Sequence, residues 1–336
     1  MLLVFFSRSS QAGGVFRNVS LGCLIFFCCL LRAVDSKDRD VSVYYYPWYD
    51  LPTNTHWQEG FLRARLTPAM LPMLGKYSSR DGRVLQQHLA WSKQYGIDNW
   101  ICSWWGPGSW EDGTLRQHVL PALAESTIKF CVYYEAGGLL GMNECEEIIF
   151  GAAAIDTLTT HVEHLAAHYF EHPNYQRIDG RPVLYIYLSS CFTGQFAEAL
   201  QAARQVARRH GEDLFLVGDE IFWGAPNPER IQQMDAITAY CMHGPTDFEG
   251  YPKDSELLTH MSIKYNEYSQ VAAQHEVAVK GFGGQIHSPL SLPLPTTALI
   301  DYIGPHGPHG RLSKITAEIG RGYRDRCSAA AYLLVL

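Results

Sequence analysis

The chain has 336 residues, of which 47% are hydrophobic, enough for one large α/β domain or two small ones. Its formal net charge is −7 and it contains no basic run, which argues against nucleic acid as a partner. Only 18% of residues are charged, while Tyr (19), Phe (15) and Trp (8) are plentiful, a balance that suits a neutral polar ligand better than a phosphate.

Residues 1–38 differ from the rest. Leu21–Leu31 is apolar and follows Arg8 and Arg17. It is short for a transmembrane helix and has the length of a signal-peptide core. Cleavage would fall near Ala33–Ser36, although no clean small-x-small site is present. If retained, the run would be a short N-terminal anchor, the one membrane contact expected. Three of the nine cysteines lie in this run. Cys102 and Cys131 fall in predicted strands and read as buried free thiols. No CxxC and no Cys/His zinc spacing occurs, so no metal or cofactor is expected. Asn18 opens the only Asn-x-Ser/Thr triplet.

The globular part is expected over residues 39–280. Val41–Tyr46 reads as a strand stopped by Pro47, with Trp48, Tyr49, His56 and Trp57 in the loop that follows. Arg83–Tyr95 has helical periodicity, with Asp81 placed to cap it. Asp98–Trp104 is a strand running into Trp105 and Gly106-Pro107-Gly108. Thr114–Glu125 is a helix kinked at Pro121, and Ile128–Tyr134 a strand ending at Glu135-Ala136-Gly137-Gly138. Ala154–Phe170 is a helix. Val183–Tyr187 is a strand entered through the turn Asp179-Gly180. Gln195–His210 is a helix closed by Gly211, and Leu214–Gly218 a strand leading to Asp219-Glu220. A short helix at Asn227-Pro228, a strand at Ala236–Tyr240, a long helix over Ser255–His275 and a strand at Val277–Val279 complete the series. Strand and helix alternate at least six times, which predicts an α/β fold, most simply a closed (β/α)₈ barrel. An open doubly wound sheet is the alternative, but it would want a glycine-rich phosphate loop with a spacing that Gly106-Pro107-Gly108 lacks. Residues 281–336 read as an irregular tail: 281–310 alone holds five Pro and six Gly, and no strand-helix pair follows. The barrel is therefore expected to be incomplete at its C-terminal end.

Parallel α/β folds place their sites at strand C-termini. Collected there are Tyr46, Trp48 and Tyr49; the adjacent indoles Trp104 and Trp105; Glu135; Tyr187; Asp219 and Glu220; and Tyr240 with His243. Aromatic faces for sugar rings and carboxyls for hydroxyls and proton transfer are what glycoside chemistry uses. Glu135 is the single candidate acid, placed before two glycines that would leave room for a ligand. The two indoles, followed by glycines, read as a stacking platform. No Ser-His-Asp order or nucleophile elbow is visible. His88, His161, His164 and His168 read as helix-surface or core-edge residues.

These residues also resemble a family. VYYYPWY at 43–49, HW at 56–57, LGKYSSRD at 74–81, the stretch from His88 to Gly96-Ile97-Asp98, SWWGPGS at 103–109 and the strand ending in Glu135 are similar to glycoside hydrolase family 99, the endo-α-1,2-mannosidases and their bacterial relatives. The similarity runs from about Val41 to Val279. It implies a (β/α)₈ barrel, retaining cleavage within mannose-containing glycans without a metal, and, in eukaryotic members, a Golgi enzyme acting on N-glycans in the secretory pathway. Tyr46, His56, Trp57, Trp104, Glu135 and Tyr240 would then line the substrate cup, and the strand-end reading adds Trp48, Tyr49, Trp105 and Glu220.

One departure stands out. The family carries two catalytic carboxylates in a Glu-Trp-x-Glu pattern late in the chain. Here no Trp follows Trp223, and no late Glu precedes a Trp. A truncated or misread coding sequence would explain this, as would a variant that has lost activity. The expectation is a domain that binds α-mannosides and hydrolyses them poorly or not at all. The rival readings are a non-catalytic glycan-binding remnant and a glycan-biosynthesis protein using the same barrel.

Overall fold

A computed structural model describes residues 40–57, 72–144, 146–222, 224–240, 254–280 and 286–287. Contacts divide the chain into Met1–Asp38 and Arg39–Leu336, and every described residue lies in the second unit. The signal or anchor segment, His243 and nearly all of the expected tail thus fall outside the described residues.

The elements follow the predicted alternation. Strand β1 (Ser42–Tyr45) is followed by helix α1 (Gly82–Gln94) and β2 (Asn99–Trp104). Asp81 caps α1 as expected, its carboxylate accepting from the Arg83 N–H at 2.9 Å. Helix α2 (Trp110–Thr114) runs through a π-helical turn (Leu115–Val119) into α3 (Leu120–Ala124). The helix thus starts earlier than predicted, and its irregularity precedes Pro121. Pro121 has no N–H to close the ordinary ladder, and the Leu120 N–H reaches back five residues to the Leu115 carbonyl.

Strand β3 (Lys129–Tyr134) leads into α4 (Ala136–Leu140), β4 (Ile148–Phe150) and α5 (Ala152–His168). Strands β5 (Arg177–Ile178) and β6 (Arg181–Ile186) form a hairpin. Its two loop residues, Asp179 and Gly180, both have positive φ (51° and 77°), as a type I′ turn requires. A 3₁₀ turn (Ser189–Cys191), β7 (Phe192–Gly194), α6 (Phe196–Arg209) and β8 (Phe215–Asp219) follow. The described elements end with α7 (Pro228–Ile231), β9 (Ala236–Thr238), α8 (Asp254–Gln274), β10 (Ala278–Lys280) and β11 (Ile286–His287).

The main sheet runs β1-β2-β3-β6-β8-β9-β10-β11. The first seven are parallel in strict sequence order, each joined to the next through at least one helix. A doubly wound sheet would reverse its order at a switch point; this one never does, so it winds as a barrel does. β11, whose two residues lie within 281–336, pairs antiparallel with β10. β4 and β7 form a separate two-stranded parallel sheet that the sequence did not reveal.

Strand alternation sends side chains to two surfaces. On the outer, helix-facing side, Trp100 stacks on Tyr45 at 4.3 Å and donates its Nε1–H to Ser92 of α1 at 2.9 Å. On the inner side tyrosines meet across the lumen. The Tyr133 ring lies 5.0 Å from Tyr44, 5.4 Å from Tyr187 and 5.8 Å from Tyr240. The Tyr46 hydroxyl, just beyond β1, donates to that of Tyr240, just beyond β9, at 2.7 Å, so the sheet curls until distant strands touch. Among the described residues no helix is long and apolar enough to cross a membrane.

Candidate active site

The carboxyl ends of the parallel strands place Tyr46, Glu135, Tyr187, Asp219 and Tyr240 on the lumen side. Glu135 directly follows β3. Its backbone N–H reaches the Trp104 carbonyl at 3.3 Å, and its own carbonyl accepts from Gly138 and Leu139 to open α4. Its Oε1 accepts from the Ser103 hydroxyl at 2.5 Å, and that Oγ accepts from the Trp105 Nε1–H at 3.1 Å. Burial pushes the Glu135 carboxyl up to about 8 against the opposing Ser103 hydrogen bond, and the charges of Glu111 and Asp219 add to the rise. At neutral pH this group is therefore mostly protonated and can donate. The Tyr46 phenol is raised by burial and by the neighbouring Tyr240 and Glu135.

The adjacent indoles do not act as a pair, which corrects the expected platform. Trp105 keeps 38% of its surface exposed. Trp104 is fully buried on the opposite, helix-facing side, stacked at 5.9 Å on His164 of α5, with its Nε1–H donated to Asp112 at 3.0 Å. Adjacent residues on an extended chain face opposite ways, so one indole enters the helix-facing core and the other turns to the lumen side. Asp112 also accepts from the Tyr169 hydroxyl and the Gly108 N–H and contacts His164 Nε2. Burial pushes its carboxyl up, but hydrogen bonds from Tyr169, Trp104, Gly108 and His164 outweigh that and hold it at about 2. It is a structural anchor for the Gly106–Ser109 loop. His161 likewise meets the Tyr134 hydroxyl at 2.9 Å and lies outside the cup.

The two glycines after Glu135 also differ from expectation. A Cβ on Gly138 would lie 2.3 Å from the Trp105 ring, so the space there is filled by the protein's own indole and not left for a ligand. That contact sets the six-membered ring of Trp105 against the Gly138 backbone, while its N–H is donated to Ser103.

Glu220 turns away from the lumen side. It is fully buried, accepting from Ser189 at 2.8 Å and from Arg230 Nε at 3.2 Å, and burial raises its carboxyl despite the nearby Arg230. Its neighbour Asp219 accepts the Tyr240 N–H at 2.9 Å and the Leu188 N–H at 3.3 Å, and so fixes the strand end that carries Tyr240. Tyr49 and Trp57 are buried and pack together at 4.3 Å in an aromatic wall, with the Trp57 Nε1–H donated to the Tyr77 carbonyl at 2.7 Å. Trp48 bridges this wall to the cup, stacked on His56 at 4.4 Å and 4.5 Å from Tyr46. The Trp48 Nε1–H is buried and has no hydrogen-bond partner among the described residues. Ser103 does not stand out in the sequence, although its parity with Trp105 along the strand marks it as facing the same side. Among the described residues no group of three or more His, Cys, Asp or Glu side chains converges to hold a metal ion.

No family model matches the chain. In sequence it is similar to the glycoprotein endo-alpha-1,2-mannosidase-like protein of Homo sapiens, 28% identical over 28% of this chain and 25% of that one. The Mus musculus protein of the same name is also 28% identical, over 27% of this chain and 25% of its own length. The chain thus spans about a quarter of the length of the curated relatives it matches. In fold it is similar to the GH99 endo-alpha-mannosidase from Bacteroides thetaiotaomicron in complex with BIS-TRIS-Propane, with 19% identity, a TM-score of 0.53, and 71% of this chain and 67% of that one covered. It is also similar to a glycoside hydrolase-like protein, with 16% identity, a TM-score of 0.55, and 73% and 70% coverage. In fold the likeness is to a GH99 endo-alpha-mannosidase, and the curled parallel sheet fits an incomplete (β/α)₈ barrel.

Proposed function

We propose that the cup holds an α-mannose-containing glycan, of the class that endo-α-1,2-mannosidases act on, and that this chain binds such glycans without efficiently cleaving them. The observation that carries the reading is the partly exposed Trp105 indole hydrogen-bonded through Ser103 to the buried Glu135 carboxyl beside the Tyr46–Tyr240 pair. A flat apolar face next to hydroxyl and carboxyl groups suits a sugar ring with its hydroxyls. Family resemblance implies retaining, metal-independent chemistry, which needs two carboxyl groups disposed across the scissile bond. Of the strand-end carboxyls Glu135, Asp219 and Glu220, Glu135 alone is engaged neither by backbone N–H groups nor by an arginine. Asp219 is engaged with two backbone N–H groups and Glu220 with Arg230. The Glu-Trp-x-Glu pattern has no counterpart in the sequence. The apolar run Leu21–Leu31 supports a place in the secretory pathway, whether in the Golgi lumen, at its membrane, or after secretion.

The test uses the purified full chain with a glucosylated mannose glycan containing an α-1,2 linkage. Calorimetry should record binding that Trp105→Ala weakens at least tenfold, while chromatography detects no disaccharide release above a blank. Robust turnover abolished by Glu135→Gln would overturn the non-catalytic half of the reading. Absence of binding by the folded protein would overturn the glycan half.

A further inference from the structure

Ser103 is buried, and its single hydroxyl sits between two groups of very different character. On one side Trp105 is the most exposed indole of the cup and donates its Nε1–H to Ser103 Oγ at 3.1 Å. On the other, Glu135 Oε1 accepts a hydrogen bond from the Ser103 hydroxyl at 2.5 Å. A hydroxyl that accepts from the indole has its own hydrogen free to point at the carboxyl. Trp105 is itself held by the Gly138 backbone, which leaves no room for a Cβ, and Gly138 lies in the helix that Glu135 opens. The indole, the hydroxyl and the carboxyl therefore form one hydrogen-bonded unit spanning β2 and α4.

We propose that Ser103 is a positioning residue that couples Trp105 to Glu135, so that a sugar ring settling on the exposed indole face fixes the direction of the hydroxyl and, through it, the ionisation state of the carboxyl. The ligand half of this statement rests on the glycan reading above; the coupling of Trp105 to Glu135 does not. A donor to a carboxylate stabilises its charged form. Loss of the Ser103 hydroxyl therefore raises the pH at which Glu135 ionises. Loss of the indole N–H frees the hydroxyl to turn away and acts in the same direction, more weakly. The other groups that bear on Glu135 are Glu111 on α2, Asp219 at the end of β8 and the Tyr46 phenol. All are acids or neutral phenols, and none supplies the donor that Ser103 does.

The experiment follows the Glu135 side-chain carbon by NMR in the full chain labelled at the glutamate carboxyl carbon, with the signal assigned by its loss in Glu135→Gln. Ser103→Ala should move the Glu135 titration upward by about one pH unit, Trp105→Phe by less, and Ser103→Thr, which keeps the hydroxyl, should restore it. The double variant should titrate like Ser103→Ala alone, because the indole acts through the hydroxyl. An unmoved titration in Ser103→Ala, or an equal effect of Trp105→Phe with and without the hydroxyl, overturns the coupling. Should Ser103→Ala not fold, Trp105→Phe decides, and a titration it leaves unmoved is a negative result. Addition of α-1,2-mannobiose should then lower the Glu135 titration in the wild type and leave it unchanged in Ser103→Ala. If mannobiose binds and shifts both alike, the coupling fails. If it does not bind while the ligand-free variants shift as stated, the coupling stands and the mannoside reading fails.

Discussion

Glu135 carries a proton that its environment imposes, and this has a consequence for stability. Its carboxyl ionises near 4.5 in an ordinary setting and near 8 in the fold, with burial the main cause. Between those values the folded state holds a proton that the unfolded chain has lost, so its contribution to stability is greatest below the lower value and falls as pH rises through the window. The full loss is on the order of 5 kcal/mol, since each unit is worth about 1.4 kcal/mol. Glu135→Gln keeps the shape and the acceptor for Ser103 but cannot ionise. Urea denaturation should show the variant gaining stability over the wild type between pH 5 and pH 8. A residual slope should remain from buried Glu220, whose carboxyl is also raised. Parallel slopes for the two proteins would contradict the assignment. The place of Glu135 at the end of β3 is legible in the sequence because the apolar strand run stops there, just ahead of the glycines. Trp104 is not, because two adjacent indoles invite reading as a unit, whereas the alternation of an extended chain separates neighbours. Glu220 misleads for the same reason, since Asp219 and Glu220 cannot both face the lumen.

At the scale of elements, α4 is hidden by its own composition. Gly137-Gly138 reads as a loop in sequence, because glycine weakens helices. In the structure Gly138 is required by the close approach of Trp105, whose nearest ring atom would stand only 2.3 Å from a Cβ at that position. Gly138→Ala should therefore cost about 1–3 kcal/mol, the usual penalty for overpacking, and should displace the indole. Tryptophan fluorescence should shift and glycan binding weaken. Gly137→Ala is the control. There an added Cβ meets only the flexible ends of Leu188 and Met142 at 3.3 Å, so both readouts should stay near wild type. Equal effects of the two substitutions would deny Trp105 its special contact. The long helices and β2 are legible from periodicity and from unbroken apolar runs. The strands β4, β7 and β11, of two or three residues each, are too short to carry a period.

The winding of the whole sheet is legible because one pattern recurs around it, strand then helix, always in the same order. The contacts that curl it are not, because they join residues far apart in sequence. Tyr240 is the clearest case. Its ring meets Tyr44 at 5.3 Å, Tyr133 at 5.8 Å and Tyr187 at 4.9 Å, and its hydroxyl accepts from Tyr46 at 2.7 Å. One side chain at the end of β9 thus braces β1, β3 and β6 across the lumen, while Asp219 holds its backbone N–H. Tyr240→Phe keeps the ring and leaves the buried Tyr46 hydroxyl without this partner, at a cost of about 1–2 kcal/mol. Tyr240→Ala also removes the ring from a packed lumen and should cost roughly 3–5 kcal/mol in urea denaturation. The informative measurement is where protection from hydrogen exchange is lost. β1 and β9 are separated in the sheet by β2, β3, β6 and β8, so no ladder connects them directly. If the tyrosines brace the curl, Tyr240→Ala should lower protection at Ser42–Tyr45 as well as at β8 to β10. Loss confined to β8, β9 and β10 would mean that β1 is held by its pairing with β2 alone, and that the lumen contacts fill space without fixing the winding.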